Sequence, residues 1–141
     1  MIFKMRILHF SKAGNSEAMA QAIQRQQKAG CDKIPPAYPC ESEKLVFIGI
    51  EGAKKPAKQV VEFCNALTPQ RAKNVAFFAI GTSFEAVDEL SAIVKKNGVG
   101  IAGKPFLCTV KGGLFSQGKV SEDDLKKAAA WSDEVVQSLA Q

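Results

Sequence analysis

The stretch Ile7-Leu8-His9-Phe10-Ser11-Lys12-Ala13-Gly14-Asn15-Ser16 contains the strongest structural signal in the sequence. Its first part is mostly apolar, as in a buried strand, and its second part is a polar turn with one glycine. An amphipathic helix is predicted to follow, over about residues 16–29, with Gly30 as its C-terminal stop. A strand that enters a helix through a tight turn is the first half of a βαβ unit.

The same alternation of short apolar runs and helical stretches continues to the end of the chain. Strands are predicted at residues 5–10, 44–50, 74–81 and 104–110, with a short, weak one at 31–34. Three more helices are predicted: one that begins at Pro56 and ends at Thr68-Pro69, one that Ser83 caps and Asn97-Gly98 ends, and one that begins with the capping box Ser121-x-x-Asp124. The pattern predicts an α/β fold, with a doubly wound five-stranded parallel sheet in the order 2-1-3-4-5.

Composition indicates one soluble globular domain over residues 1–141. Apolar residues make up 46% of the chain and charged residues 23%, and no apolar run approaches the roughly 20 residues that span a bilayer. The apolar stretch near the N-terminus is too short for a signal peptide, so we expect a cytoplasmic protein without membrane attachment. The formal net charge is +5, but the lysines are spread and no nucleic-acid-binding motif accompanies them, so no nucleic-acid partner is expected.

The sequence predicts neither a metal site nor a catalytic group. The four cysteines have no CxxC spacing, and His9, the one histidine, lies in an apolar strand where a core position is expected. Trp131 is expected to pack against the sheet. The glycine-rich residues 111–118 form either a lid or partner-docking loop or a plain connection.

The turn after the first strand suits a phosphate group. A helix N-terminus leaves backbone N–H groups without intrahelical partners, and the helix dipole adds partial positive charge there. Gly14 permits the tight turn, and hydroxyl groups on either side add donors. The phosphate site is therefore predicted at Ser11, Lys12, Ala13, Gly14, Asn15 and Ser16, mainly through backbone N–H groups.

On these residues the chain resembles the flavodoxin family, whose first strand is followed by a phosphate loop of the form S/T-x-T-G-N-T. The resemblance extends over nearly the full length and implies bound flavin mononucleotide (FMN). It implies that the flavin ring lies between Gly52 and Ala53 on one side and Gly81, Thr82, Ser83 and Phe84 on the other. Phe84 is the best candidate for ring stacking or is a hydrophobic staple of its helix, with Phe115 and Tyr38 in reserve.

Three differences from the family leave the function open. Ala13 stands where the family usually has Thr, residues 51–56 lack the Trp that commonly stacks on the flavin, and the chain is basic where most flavodoxins are acidic. The first hypothesis is an FMN-binding electron carrier, a monomer or weak dimer, that serves a reductase partner. The alternatives are an accessory or binding subunit that has lost FMN, and a small NAD(P)H-dependent flavin reductase.

Overall fold

The computed structural model describes residues 3–52, 54–110 and 118–140. Strands and helices alternate along the chain, as the sequence predicts. In chain order they are β1 (Met5–Phe10), α1 (Asn15–Gln27), β2 (Gly30–Lys33), β3 (Glu43–Glu51), α2 (Lys58–Ala66), β4 (Ala72–Ile80), α3 (Glu85–Lys96), β5 (Gly100–Ile101), β6 (Phe106–Cys108) and α4 (Glu122–Ala140). Among these residues no helix has the length and apolar character of a membrane span.

All strand pairs described in the sheet are parallel, and the order β2-β1-β3-β4-β5 confirms the predicted order, but the sheet has six strands and not the predicted five, because β6 also pairs with β4. The predicted edge strand over 104–110 is wrong in its bounds, because two short strands share that edge. β5 pairs with Asn74 and Val75 near the start of β4, and β6 pairs with the end of β4. Four residues separate β5 from β6, whereas only two residues of β4 separate their partners, so the extra residues, which include Gly103 (φ 65°) and Pro105, divide the edge.

Neighbouring residues of each strand point to opposite sides of the sheet, and helices bury both faces. Leu8, Ile48 and Phe77 belong to the core under α2 and α3. Ile7 and Phe47 belong to the core under α1 and α4. Helices that cover both faces explain why the central strands are almost continuously apolar.

Three helix ends differ from the sequence prediction, one of them in α3, where Phe84 and not Ser83 is the N-cap residue. Helix α1 ends at Gln27, and Lys28 adopts the left-handed conformation (φ 55°) that the sequence assigns to Gly30. Gly30 instead begins β2. Helix α2 begins two residues after Pro56. In contrast, the capping box of α4 is confirmed, since the Ser121 N–H donates to Asp124 (2.8 Å) and the Asp124 N–H donates to the Ser121 hydroxyl (3.0 Å).

An aromatic cluster joins α4 to the middle of the sheet. The Trp131 ring packs edge-on against Phe47 (5.6 Å between centroids) and Phe78 (6.2 Å), and its indole N–H donates to the Lys104 carbonyl. The Phe78 ring lies over Gly49, its neighbour in β3, so closely that a Cβ built on Gly49 would be 2.2 Å from the ring. Gly49 is therefore required by the close approach of an aromatic ring.

Gly49→Ala is expected to lower the free energy of unfolding by about 1–3 kcal/mol, because the added methyl group must push the Phe78 ring out of its packing position. The matched control is Gly30→Ala, in another strand, where an added Cβ meets nothing within 4 Å. Denaturant unfolding of both variants measures the difference. Equal stability of the two variants would contradict the close packing of Gly49 and Phe78.

Candidate functional site

The turn between β1 and α1 lies at the carboxyl edge of the sheet, as predicted. β1 ends at Phe10 and α1 begins at Asn15, so only four residues join them. Gly14, which precedes the helix, has φ +88°, a left-handed conformation that side chains with a Cβ rarely adopt. The turn therefore directs backbone N–H groups and the N-terminal end of the helix dipole toward one point.

The carboxylate of Glu51, at the end of the neighbouring strand β3, lies at that point. Its Oε1 accepts hydrogen bonds from the Ser11 hydroxyl and the Ser16 N–H, both at 2.8 Å. Its Oε2 accepts from the N–H groups of Lys12 (2.8 Å) and Ala13 (2.7 Å). We call these four donors the anion cradle. They surround the Glu51 carboxylate, whose negative charge and two acceptor oxygens resemble those of a phosphate group.

The pKa of Glu51 is lowered from its ordinary value of 4.5. Partial burial acts to raise it, but the hydrogen bonds from Ala13, Ser16, Ser11 and Lys12 stabilise the ionised form and together outweigh burial. At neutral pH the cradle therefore holds a charged carboxylate.

The remaining polar groups of the turn support the cradle. The buried Ser16 hydroxyl donates to the Phe10 carbonyl (2.9 Å), so Ser16 offers the cradle only its N–H. The Asn15 amide donates to the Gly118 carbonyl and accepts from the Val120 N–H. The Asn15 side chain therefore ties the segment before α4 to the start of α1.

A cavity of about 370 Å³ extends from the cradle along the carboxyl edge of the sheet. Its lining begins at Lys12, Asn15 and Glu51 and continues over Gly52, Ile80, Gly81, Thr82, Thr109, Val110 and Gly118. Three of the residues predicted to border a flavin ring thus face the same space as the phosphate turn.

The structure does not place the other predicted ring neighbours in the lining of this cavity. Ser83 and Phe84 are at the start of α3 and are absent from this lining; the Ser83 hydroxyl accepts from the Glu85 N–H, and Phe84 is the N-cap residue. The Tyr38 carbonyl accepts from the Arg6 side chain, and Tyr38 is absent from the lining of this cavity. Ala53, Phe115 and nearly all of the loop 111–118 lie outside the described residues.

A second cavity, of about 410 Å³, lies on the other side of the turn, between α1 and the ends of β1 and β2. Its lining includes His9, Cys31 and Asp32. His9 is buried as predicted, its Nδ1 has no hydrogen-bond partner among the described residues, and burial lowers its pKa against the opposing charges of nearby carboxylates. His9 is therefore neutral at neutral pH.

The four cysteines are free, and all but the half-buried Cys31 occupy the core positions expected of them. Cys40, Cys64 and Cys108 are buried, and burial raises the pKa of Cys64 to about 12 and that of Cys108 to about 11. In the described ranges, no three His, Cys, Asp or Glu side chains are grouped closely enough to hold a metal ion.

Comparison with solved structures identifies the architecture. A short-chain flavodoxin associated with a non-canonical PDU bacterial microcompartment has a TM-score of 0.73 over 97% of this chain and 99% of its own, at 10% identity. The chain has the flavodoxin fold. Flavodoxin 2 from Bacillus cereus (TM-score 0.71, 14% identity, 95% of this chain and 98% of that one) and a flavodoxin from the domain Archaea (0.70, 16%, 98% and 99%) are also similar. No family model and no curated protein sequence matches.

Glu51 is the residue of the anion cradle that sequence reasoning missed. The only available signal was an acidic residue at the end of a central apolar strand, beside a turn predicted to bind an anion. That signal has meaning only once β1 and β3 are known to be neighbours, with Phe10 opposite Ile50.

Glu51→Gln is expected to lower the free energy of unfolding by about 1–3 kcal/mol at neutral pH, because hydrogen bonds to a charged group are replaced by weaker ones. The folded-state pKa of Glu51 is depressed, so its stabilisation is present above pH 4.5 and is lost as pH falls through the folded-state value. The difference between wild type and variant should therefore shrink from about pH 7 to about pH 3.

Denaturant unfolding across this pH range makes the measurement. Glu89→Gln, which removes the same charge from an exposed position of α3, is the control and is expected to change stability little at any pH. A difference for Glu51→Gln that stays constant down to about pH 3 would mean that the ionised carboxylate does not stabilise the turn.

Proposed function

We propose that this protein binds FMN non-covalently and acts as an electron carrier. The observation that carries the proposal is the anion cradle at the end of β1, which opens directly onto the cavity of about 370 Å³. The cradle already holds an anionic group by four hydrogen bonds, so its donor set suits a phosphate. The fold shared with the flavodoxins supports the same reading.

In this proposal the phosphate binds at residues 11–16. The N–H groups of Lys12, Ala13 and Ser16 and the Ser11 hydroxyl donate to it, and Gly14 gives the turn its shape. The ring occupies the cavity, with Gly52, Gly81 and Thr82 along its lining. The Thr109 hydroxyl donates to the Gly81 carbonyl (2.8 Å) and so fixes one wall of that cavity.

Bound FMN would supply the one-electron redox chemistry of the carrier. The chain's own residues would hold the phosphate, shape the ring site and limit the access of water to it. Electrons would come from a separate reductase partner. The net charge of +5 suits an acidic partner, with an association that weakens as salt is raised.

A second candidate function is an accessory or binding subunit with the flavodoxin fold and no flavin. One specific observation favours it: the protein's own Glu51 already occupies the anion cradle. The lack of a Trp in residues 51–56 agrees with it, since the described lining of the cavity has no aromatic side chain.

Flavin content separates the two candidates. The purified protein is expected to be yellow, with flavin absorbance, or to quench FMN fluorescence in a saturable titration after the cofactor is removed. Riboflavin, which lacks the phosphate, should bind more weakly than FMN. A colourless protein that binds neither flavin would reject the carrier function and favour the accessory subunit.

Gly14→Val is expected to weaken FMN binding by about tenfold or more, because a β-branched residue at φ +88° is strained and distorts the cradle. The expected loss of affinity comes from backbone strain and not from a steric clash, since an added Cβ at Gly14 meets nothing within 4 Å. Lys12→Ala keeps the backbone N–H and should change the affinity by less than about threefold.

Fluorescence titration of FMN gives both affinities, and circular dichroism confirms that each variant is folded. Equal losses in the two variants would show that the charge of Lys12, and not the arrangement of backbone donors, holds the phosphate.

A further inference from the structure

The Glu51 carboxylate and the phosphate of a ligand need the same donors. Both carboxylate oxygens are used, each by two donors of the cradle at 2.7–2.8 Å. A phosphate at this point would lie within contact distance of a like charge, which is strongly unfavourable in a partly buried site. Only one of the two anions can therefore occupy the cradle.

We propose that Glu51 is an internal ligand of the anion cradle, which a phosphate-bearing ligand must displace in order to bind. Glu51 then sets the affinity of the site for phosphate. For FMN this inference rests on the proposed function, but the competition itself concerns any phosphate group.

The exchange requires rotation of one side chain and little else. β3 remains paired with β4 up to its last residue, with Glu51 opposite Ile80, and the Gly52 N–H donates to the Ile80 carbonyl (3.1 Å). The backbone on both sides of the Glu51 side chain is thus fixed. The side chain is half-buried and lines the open cavity, so it has space into which to rotate.

The internal carboxylate also explains how the turn keeps its shape without a ligand. The N-terminal N–H groups of α1 need acceptors, and Glu51 accepts from that of Ser16, while the Ser11 hydroxyl, itself a donor to Glu51, accepts from that of Glu17 (3.3 Å). The same contact holds Ser11, Lys12 and Ala13 in the positions that a phosphate would use. Glu51 therefore preorganises the site and at the same time competes for it, and its removal should tighten phosphate binding by about tenfold or more.

The first experiment uses inorganic phosphate and needs no flavin. The thermal unfolding temperatures of wild type, Glu51→Gln and Glu51→Ala are measured as phosphate is raised at constant ionic strength with chloride. Glu89→Gln is the matched control, because it removes one carboxylate from an exposed helix position.

Phosphate is expected to stabilise both Glu51 variants at concentrations about tenfold or more below those that the wild type and Glu89→Gln need. Should the Glu51 variants fail to fold in chloride alone, refolding in phosphate would support the proposal. The same phosphate dependence in all four proteins would overturn it. So would Glu51 variants that phosphate neither stabilises nor refolds, since Glu51 would then be a fixed structural group.

The second experiment compares FMN with riboflavin, which has the same ring system and no phosphate. Glu51→Gln is expected to raise the affinity for FMN by about tenfold and to leave that for riboflavin nearly unchanged. Equal changes for the two flavins would overturn the proposal, because they would place the effect of Glu51 at the ring.

Together, the two experiments distinguish a failure of the proposed competition from a failure of the proposed carrier function. If no variant binds FMN but phosphate stabilises the Glu51 variants selectively, the competition is real and the carrier function is wrong. If FMN binds wild type and Glu51→Gln equally and phosphate does not discriminate between them, the carrier function stands and the competition is wrong.

Discussion

The first N–H groups of α1 have no partner within their own helix, and the site depends on how that need is met. Because β1 enters α1 through four residues, these groups, the turn N–H groups and the helix dipole meet at one point at the carboxyl edge of the sheet. The backbone there needs hydrogen-bond acceptors, and the helix dipole favours a negatively charged one, whatever its source. In this chain the source is Glu51, one strand away.

This interaction connects parts of the chain that are distant in sequence. Glu51 links the end of β3 to the turn after β1, and Asn15, at the first position of α1, links that turn to Gly118 and Val120. Two of the segments that border the cavity, the end of β3 and the residues just before α4, are therefore held by hydrogen bonds to the start of one helix. A change of occupant in the cradle would act on a framework that is already in place.

The sheet provides the rigidity that such a site needs. Its strands are covered on both faces, and Trp131 packs on Phe47 and Phe78 at the centre of one face. The ring of Phe78 in turn lies against Gly49, two residues before Glu51. Close packing next to the strand end leaves the Glu51 side chain, and not its backbone, as the movable part.

The sequence by itself determined the four helices, the strands β1 to β4 and the order of the parallel sheet. It could do so because an apolar run of six to nine residues between helical patterns is typical of a strand that is buried on both faces. The phosphate turn was also readable, since Gly14 and the start of α1 are adjacent in the chain. The capping box of Ser121 and Asp124 is local in the same way.

Only the tertiary structure decided which acceptor fills the cradle, because Ser11 and Glu51 are forty residues apart and meet through the pairing of β1 with β3. The tertiary structure likewise decided the hydrogen-bond partners of Asn15, which are more than a hundred residues away in the sequence. The division of the edge between β5 and β6 likewise depends on which part of β4 each segment meets. Local pattern fixes the elements, whereas contacts between distant segments fix the chemistry of the site.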